Sequence, residues 1–282
     1  MSGTLYIVAT PIGNLEDTSS RSLRVLESVK CVACEDTRRT RRLLDRFGVS
    51  TRTLSCHKFN ERERLEKVLR LLRSGDDVAL VSDGGTPAIS DPGALLVDAA
   101  LAEGIRVSPV PGPSAPMALL SASGESGGRF LFEGFLPHRA GERRRRLREL
   151  RSFHDAVVVF ESPRRIRKTL ADLVEIMGSR EIVLGRELTK IHETIERGTP
   201  ESILQSLPDA EVRGEITLIL TAWNPDAAES TEAGSRRVLE TWAEALSETG
   251  GDQRDALRTT ARKLGMKRAE LYRLLAELGE IR

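Results

Sequence analysis

VALVSDGGTPAISDPGALLVDAALAEGIRVSPVPG, residues 78–112, holds in one stretch the alternation that decides the fold. Val78, Ala79, Leu80 and Val81 run into a long series of Gly, Pro, Asp, Ser and Thr. Gly and Pro break both helix and ladder, so a strand ends there and a loop begins. GALLVDAALAEG (93–104) then reads as a helix, and RVSPVPG (106–112) as a strand entering a second Pro/Gly loop. Strand, helix and strand in succession form a βαβ unit, which calls for a parallel sheet. Plain connectors run to about five residues. The loop at 82–93 is longer and mixes rigid Pro with permissive Gly. That suits backbone held against a ligand, and equally an elaborate turn.

The same rhythm extends in both directions. TLYIVAT (4–10) and CVACED (31–36) read as strands, and SSRSLRVLES (19–28) and TRRTRRLLDRFG (37–48) as helices, the second closed by Gly48. NERERLEKVLRLLRSG (60–75) reads as a helix capped by Asn60 and ended by Gly75. The class is therefore α/β. Beyond about residue 118 the texture changes. FLFEGFL (130–136), AVVVFES (156–162), EIVLGREL (181–188) and EITLILTAW (215–223) read as strands, with helices at 141–152 and 164–178. The expected organisation is an α/β domain over 1–117 and a second α/β domain over 118–223. A polar, small-residue linker over 224–235 and a small helical domain over 236–282 complete it.

The 43 basic and 42 acidic residues nearly cancel, so any nucleic-acid contact must rest on local patches. No apolar run approaches the roughly 20 residues of a membrane span, and no leader is read at the N-terminus. Three cysteines make no disulfide framework, and a cytoplasmic location is expected. Cys31 and Cys34 form a CxxC with Cys56–His57 downstream. On a strand, residues three apart face opposite ways, so these read as small core residues and no metal site is assigned. His57 reads as part of a loop before the Asn60 cap.

In open parallel sheets, ligands sit at the carboxyl ends of the strands. TPIGN (10–14), SDGGTPAISDPG (82–93) and PVPGPSAPMA (109–118) gather there. None is a GxGxxG, and no Walker lysine follows a glycine loop, so dinucleotide and NTP sites are not indicated. A small-molecule crevice is.

LYIVATPIGNLED, ACEDTRRTRRLL, LVSDGGTPAISDPG, PVPGPSA, FEGFLP, FESPRR, RELTK and RGE follow in that order over nearly the whole chain. With them the chain resembles the tetrapyrrole-methylase superfamily of S-adenosylmethionine (SAM) methyltransferases, and most closely its ribosomal-RNA branch. The resemblance implies two α/β domains with SAM in the cleft between them. It also implies 2′-O-methylation of a cytidine ribose in the decoding region of 16S rRNA, as naked RNA or in the small ribosomal subunit, and a homodimer. Gly84, Arg164 and Arg213 stand where the family pattern more often has Ala, His and Lys.

Carried onto this sequence, the resemblance places Pro11, Gly84, Gly85, Thr86, Ile89, Ser114 and Ala115 against SAM. Glu161, Leu188, Gly214 and Glu215 approach it from the second domain. A ribose hydroxyl is a poor nucleophile, so a proton acceptor would help. Glu35 and Asp36 are the first candidates, Glu187 and Lys190 the second; each also reads as a structural charge. Consecutive arginines cover most of the helix ERRRRLRELR (142–151), so part must face solvent. Arg143, Arg144 and Arg146, with Arg164 and Arg165 downstream, are expected on RNA phosphates, against a solvated ion-paired face. ARKLGMKRAELYRLL (261–275) has helix-turn-helix spacing, with Lys267 and Arg268 opening the second helix. It offers a competing reading, a ligand-sensing DNA-binding regulator. A methylase of a small tetrapyrrole is a third.

Overall fold

The computed structural model describes residues 2–56, 61–125, 128–208, 211–222, 225–266 and 268–281. The elements of the first half are β1 (Thr4–Val8), α1 (Ser20–Ser28), β2 (Cys31–Cys34), α2 (Thr37–Arg46), β3 (Thr53–Ser55), α3 (Glu61–Arg73), β4 (Val78–Leu80), α4 (Ala94–Ala102), β5 (Arg106–Val110) and α5 (Ala115–Ala122). The sheet has the order β3-β2-β4-β1-β5, with every pairing parallel. That is the outcome the βαβ alternation dictates. On one face Leu5, Cys31, Ala33 and Leu80 pack with Leu69 and Leu72 of α3 and Leu96 and Ala100 of α4. On the other, Val8, Val32, Cys34 and Ala79 pack with Leu26 of α1 and Leu44 of α2. Cys31 and Cys34 therefore lie on opposite faces, and burial raises both thiol pKa values. His57 and Asn60 lie outside the described residues.

The second half contains β6 (Phe130–Phe135), α6 (Ala140–Arg151), β7 (Ala156–Glu161), α7 (Ile166–Met177), β8 (Ile182–Arg186), β9 (Thr194–Gly198), α8 (Pro200–Ser206) and β10 (Ile216–Leu220). Its sheet has the order β6-β7-β10-β8-β9; β6–β7 is parallel and the other pairings are antiparallel. Helices α6, α7 and α8 cover one face through Leu147, Leu150, Leu170, Leu173 and Ile203. Leu119 of α5 covers the other, joined by Ile12 from the loop after β1. Helix α5 and the loop after β1, both from the first half, thus pack on the second sheet and join the two halves.

The arginine-rich helix is the first correction. Arg143 is only 4% exposed and is held by Asp172 of α7, with nitrogens at 2.8 and 2.7 Å from Oδ2. Arg144 takes the other oxygen of Asp172 at 2.7 Å and reaches Glu175. Arg146 forks onto Glu133 of β6 at 2.7 Å through both nitrogens and also meets Glu149. Local sequence showed little acid because the partners come from β6 and α7. These ion pairs fasten α6 to its neighbours; Arg143 is buried by them, while the paired Arg144 and Arg146 keep 41% and 34% of their side chains exposed.

Met1–Trp223 and Asn224–Arg282 form separate compact units. The second consists of α9 (Pro225–Glu248), α10 (Gln253–Leu264) and α11 (Arg268–Glu277) around Trp242, Ala245, Ala256, Leu271 and Leu275. The stretch 224–235, expected as a linker, is helical from Pro225 onward. Ala and Glu there are good helix formers, and that propensity outweighs the loop-like Ser and Gly. Asp252 caps α10 by accepting from the Arg254 and Asp255 amides, and Gly265 at φ +68 closes it in the left-handed conformation. The helix-turn-helix spacing thus has helices on both sides of its turn. Lys267 lies outside the described residues.

Candidate active site

The loop after β4 is clamped to the loop after β1. Thr10 and Gly85 exchange backbone hydrogen bonds at 3.0 and 2.9 Å, and the Thr10 hydroxyl donates to the Ser82 carbonyl. Gly85 has φ +90, where only glycine sits without strain. Within the same loop Ala88 and Ser90 hold φ +65 and +62. The loop after β8 repeats the pattern, with Glu187 at φ +54 and Thr189 at +66. These are the positive-φ residues other than glycine among the described residues; Ser90 lines the crevice, and Lys190, next to Thr189, lines the depression beside it. Left-handed backbone in such residues costs on the order of 1–3 kcal/mol each and persists where surrounding structure enforces it. The unusual composition of 82–93 therefore serves a site as well as a turn.

The crevice holds a cavity of about 370 Å³, the size class of small-ligand sites. Gly84, Gly85, Thr86 and Ile89 wall it from one loop, Ser114 and Ala115 from another, and Glu161, Gly214 and Glu215 from the second sheet. At Gly84 the two loops pack closely, since an added Cβ would stand 3.3 Å from the Pro11 carbonyl oxygen. Phe135 and Phe160, ring centroids 5.4 Å apart, add an aromatic wall that sequence reading missed. Their signal was there: both end strands at the sheet's carboxyl edge.

Two expected contacts fall elsewhere. Leu188 is 7% exposed and packs beside Leu119 under the second sheet. It is absent from the described lining of the cavity: the chain leaves β8 at Arg186, turns at Glu187 with φ +54, and sets Leu188 against the Leu119 cluster. Pro11 lines a neighbouring depression instead. Glu161 borders the cavity, but its buried carboxylate accepts from the Ser162 amide and the Thr169 hydroxyl, and pairs with Arg165 at 2.9 Å. It anchors the turn at 161–165. Arg165 is thereby a structural arginine too, bonded also to the Leu136 carbonyl. Arg164 is exposed.

The proton-acceptor candidates separate likewise. Asp36 caps α2, accepting from the Arg38 amide at 2.8 Å and the Arg38 guanidinium at 2.9 Å. Its hydrogen bonds to Arg38 hold its pKa at about 2, a weak base. Burial pushes Glu187 up, yet the Lys190 ammonium at 2.7 Å and the Glu215 amide at 2.9 Å more than offset it and leave it low. Burial likewise depresses Lys190, and Glu187 and Glu215 outweigh it, so the amine stays protonated. Gly214 is essential to this knot, since a Cβ there would collide with Glu187 Oε1. Glu35 is half-buried beside an acid that sequence reading did not single out, Asp91.

Asp91 lines the cavity, and burial, with Glu35 and Asp83 nearby, raises its pKa from 3.8 to about 6. A raised folded-state pKa means that ionised Asp91 opposes folding. The penalty is absent below the ordinary pKa, grows as pH climbs through this window, and is complete above about 6. Asp91→Asn is expected to stabilise the fold above pH 7 by on the order of 1–2 kcal/mol, after discounting for solvent screening. The gain should shrink below pH 6 and vanish near pH 4. Urea melts of both proteins across this range check it; a pH-independent difference would refute it.

The tetrapyrrole (corrin/porphyrin) methylase family model matches residues 4–204. The chain is 46% identical over 251 residues to ribosomal RNA small subunit methyltransferase I of Pseudomonas aeruginosa, covering 84% of this chain and 86% of that one. To the protein of the same name in Xylella fastidiosa it is 45% identical over 274 residues, covering 96% and 98%. Among solved structures it is similar to uroporphyrin-III C-methyltransferase from Thermus thermophilus, complexed with S-adenosyl homocysteine. The TM-score is 0.54 at 19% identity, covering 78% of this chain and 97% of that one.

Proposed function

The chain belongs to the tetrapyrrole (corrin/porphyrin) methylases, and from that membership we propose that it methylates small-subunit ribosomal RNA with SAM as donor. The observation that carries the reading is identity of 45% across almost all of both chains to a relative bearing that name. The finer assignment is the 2′-hydroxyl of a cytidine in the decoding region of 16S rRNA. The small-tetrapyrrole reading draws on the family's general description and on structures of low identity, which speak to family and fold. The ligand-sensing DNA-regulator reading rests on the helix-turn-helix spacing of the C-terminal unit alone, and the named relatives are rRNA methyltransferases. Neither is favoured.

Residues fit the donor. Gly84, Gly85 and Thr86 would bring backbone and one hydroxyl to its amino-acid end, and Ile89, Phe135 and Phe160 offer apolar surface to its ring. The acids Asp83 and Asp91 face a ligand that carries positive charge, and their field favours it. When bound, SAM supplies an electrophilic methyl group. What the chain contributes is placement: two clamped loops hold the crevice, and a hydroxyl aligned there gains from proximity. Glu187, Lys190 and Glu215 lock the far wall through hydrogen bonds of 2.7 to 3.0 Å.

A homodimer is part of this reading. Ile191, 97% exposed, stands just before edge strand β9, where Ile195 is 39% exposed. Exposed isoleucines beside an unpaired strand edge invite pairing. Light scattering should give twice the chain mass.

Labelled SAM, supplied with 16S rRNA or with unmodified small subunits, tests the reaction. The label should appear on one ribose, mapped as a cytidine resistant to alkaline cleavage at its 3′ side. Label on a base, or none on either substrate, would overturn the assignment.

A further inference from the structure

A second depression, about 330 Å³, adjoins the first cavity and shares Ile12, Arg39, Asp83 and Glu215 with it. The TPIGN loop forms one side and α2 the other. Arg39, Thr40, Arg42 and Leu43 of α2 line it, a spacing of one, three and four residues that makes a single helix face. Arg41, off that face, donates to the Thr51 carbonyl at 2.8 Å and belongs to the fold. Arg38 is committed to Asp36. Arg39 and Arg42 are exposed, and Arg39 reaches Asp83 only at 3.5 Å. On α6, by contrast, acids of neighbouring elements pair with Arg143, Arg144 and Arg146 at 2.7–2.8 Å.

We propose that this second depression seats the methyl-accepting nucleotide, with Arg39 and Arg42 on the phosphates of an RNA strand. The inference rests on the reading of the chain as an rRNA methyltransferase and names the surface that reading lacked. A ribose here lies next to the donor cavity across Ile12 and Asp83. Two exposed guanidiniums at the rim of the depression match the ribose-phosphate backbone of a single strand.

The test measures 16S rRNA binding and methyl transfer for Arg42→Gln and for the double variant Arg39→Gln/Arg42→Gln. Arg46→Gln, at the end of the same helix, controls for the loss of one charge. Removing one guanidinium from a phosphate should reduce the slope of log affinity against log salt by about one unit. The expected result is a slope shallower by about one unit for the single variant and two for the double. The RNA KM should rise tenfold or more in the double variant, SAM affinity by calorimetry should stay within twofold for Arg42→Gln, and Arg46→Gln should behave as wild type. Wild-type slope and KM in both variants would overturn this inference while leaving the rRNA reading intact. A wild-type protein that binds SAM but methylates no rRNA would overturn both.

Discussion

Asp172→Ala is expected to destabilise the protein by about 3–5 kcal/mol, the cost of leaving a buried charge without its partner. Asp172 and Arg143 side chains are each 5% exposed, so water cannot take over when the carboxylate goes. Arg144 loses a partner as well, though its exposure lets solvent compensate. Denaturant melts should show the midpoint falling with an unchanged slope. A loss below 1 kcal/mol would mean that α6 and α7 are held by Leu147, Leu150, Leu170 and Leu173 alone. Replacing Arg143, Arg144 and Arg146 together by Gln should likewise act first on the fold. A helix whose arginines hold it to α7 and β6 is poorly suited to release them for RNA.

That reversal shows where the sequence was legible. The parallel sheet could be read because β1, β4 and β5 run into Gly/Pro loops and helical stretches alternate with the strands, whereas β3, a three-residue strand with no Gly or Pro after it, left no such mark. The cavity could be read because three loops of odd composition end strands at one sheet edge. The partners of an arginine could not, since Glu133 and Asp172 lie 13 and 29 residues from Arg146 and Arg143. Strand β9 escaped because TIERG alternates half-buried with exposed residues and lacks an apolar run. Helix α8 did leave a signal, Thr199 as N-cap followed by Pro200. Arg39 and Arg42 do not stand out in ACEDTRRTRRLL, because a tally of charge favours the denser cluster on α6. Exposure and pairing decide which cluster is available, and both are tertiary properties.

Gly85→Val should abolish measurable SAM binding, a loss of at least a hundredfold, while the rest of the fold persists. Gly85 combines a cavity wall, φ +90 and two backbone hydrogen bonds to Thr10. Valine's branched Cβ disfavours positive φ, so the loop must either carry the strain or swing out of it. Space alone is not the obstacle, because a Cβ at this position would find Ile12 Cγ2 at 3.5 Å, an ordinary contact. The backbone angle is therefore the cause, and Gly85→Ala should show a milder form of the same defect. Thr86→Leu separates the two effects, since it leaves the Gly85 angle alone and places bulk in the cavity. Calorimetry with SAM on all three, beside circular dichroism and thermal melts, measures them. Wild-type affinity in both Gly85→Val and Thr86→Leu would remove this loop from the donor site. Loss in Thr86→Leu alone would keep the cavity as the site and show that the Thr10 clamp can absorb the strain.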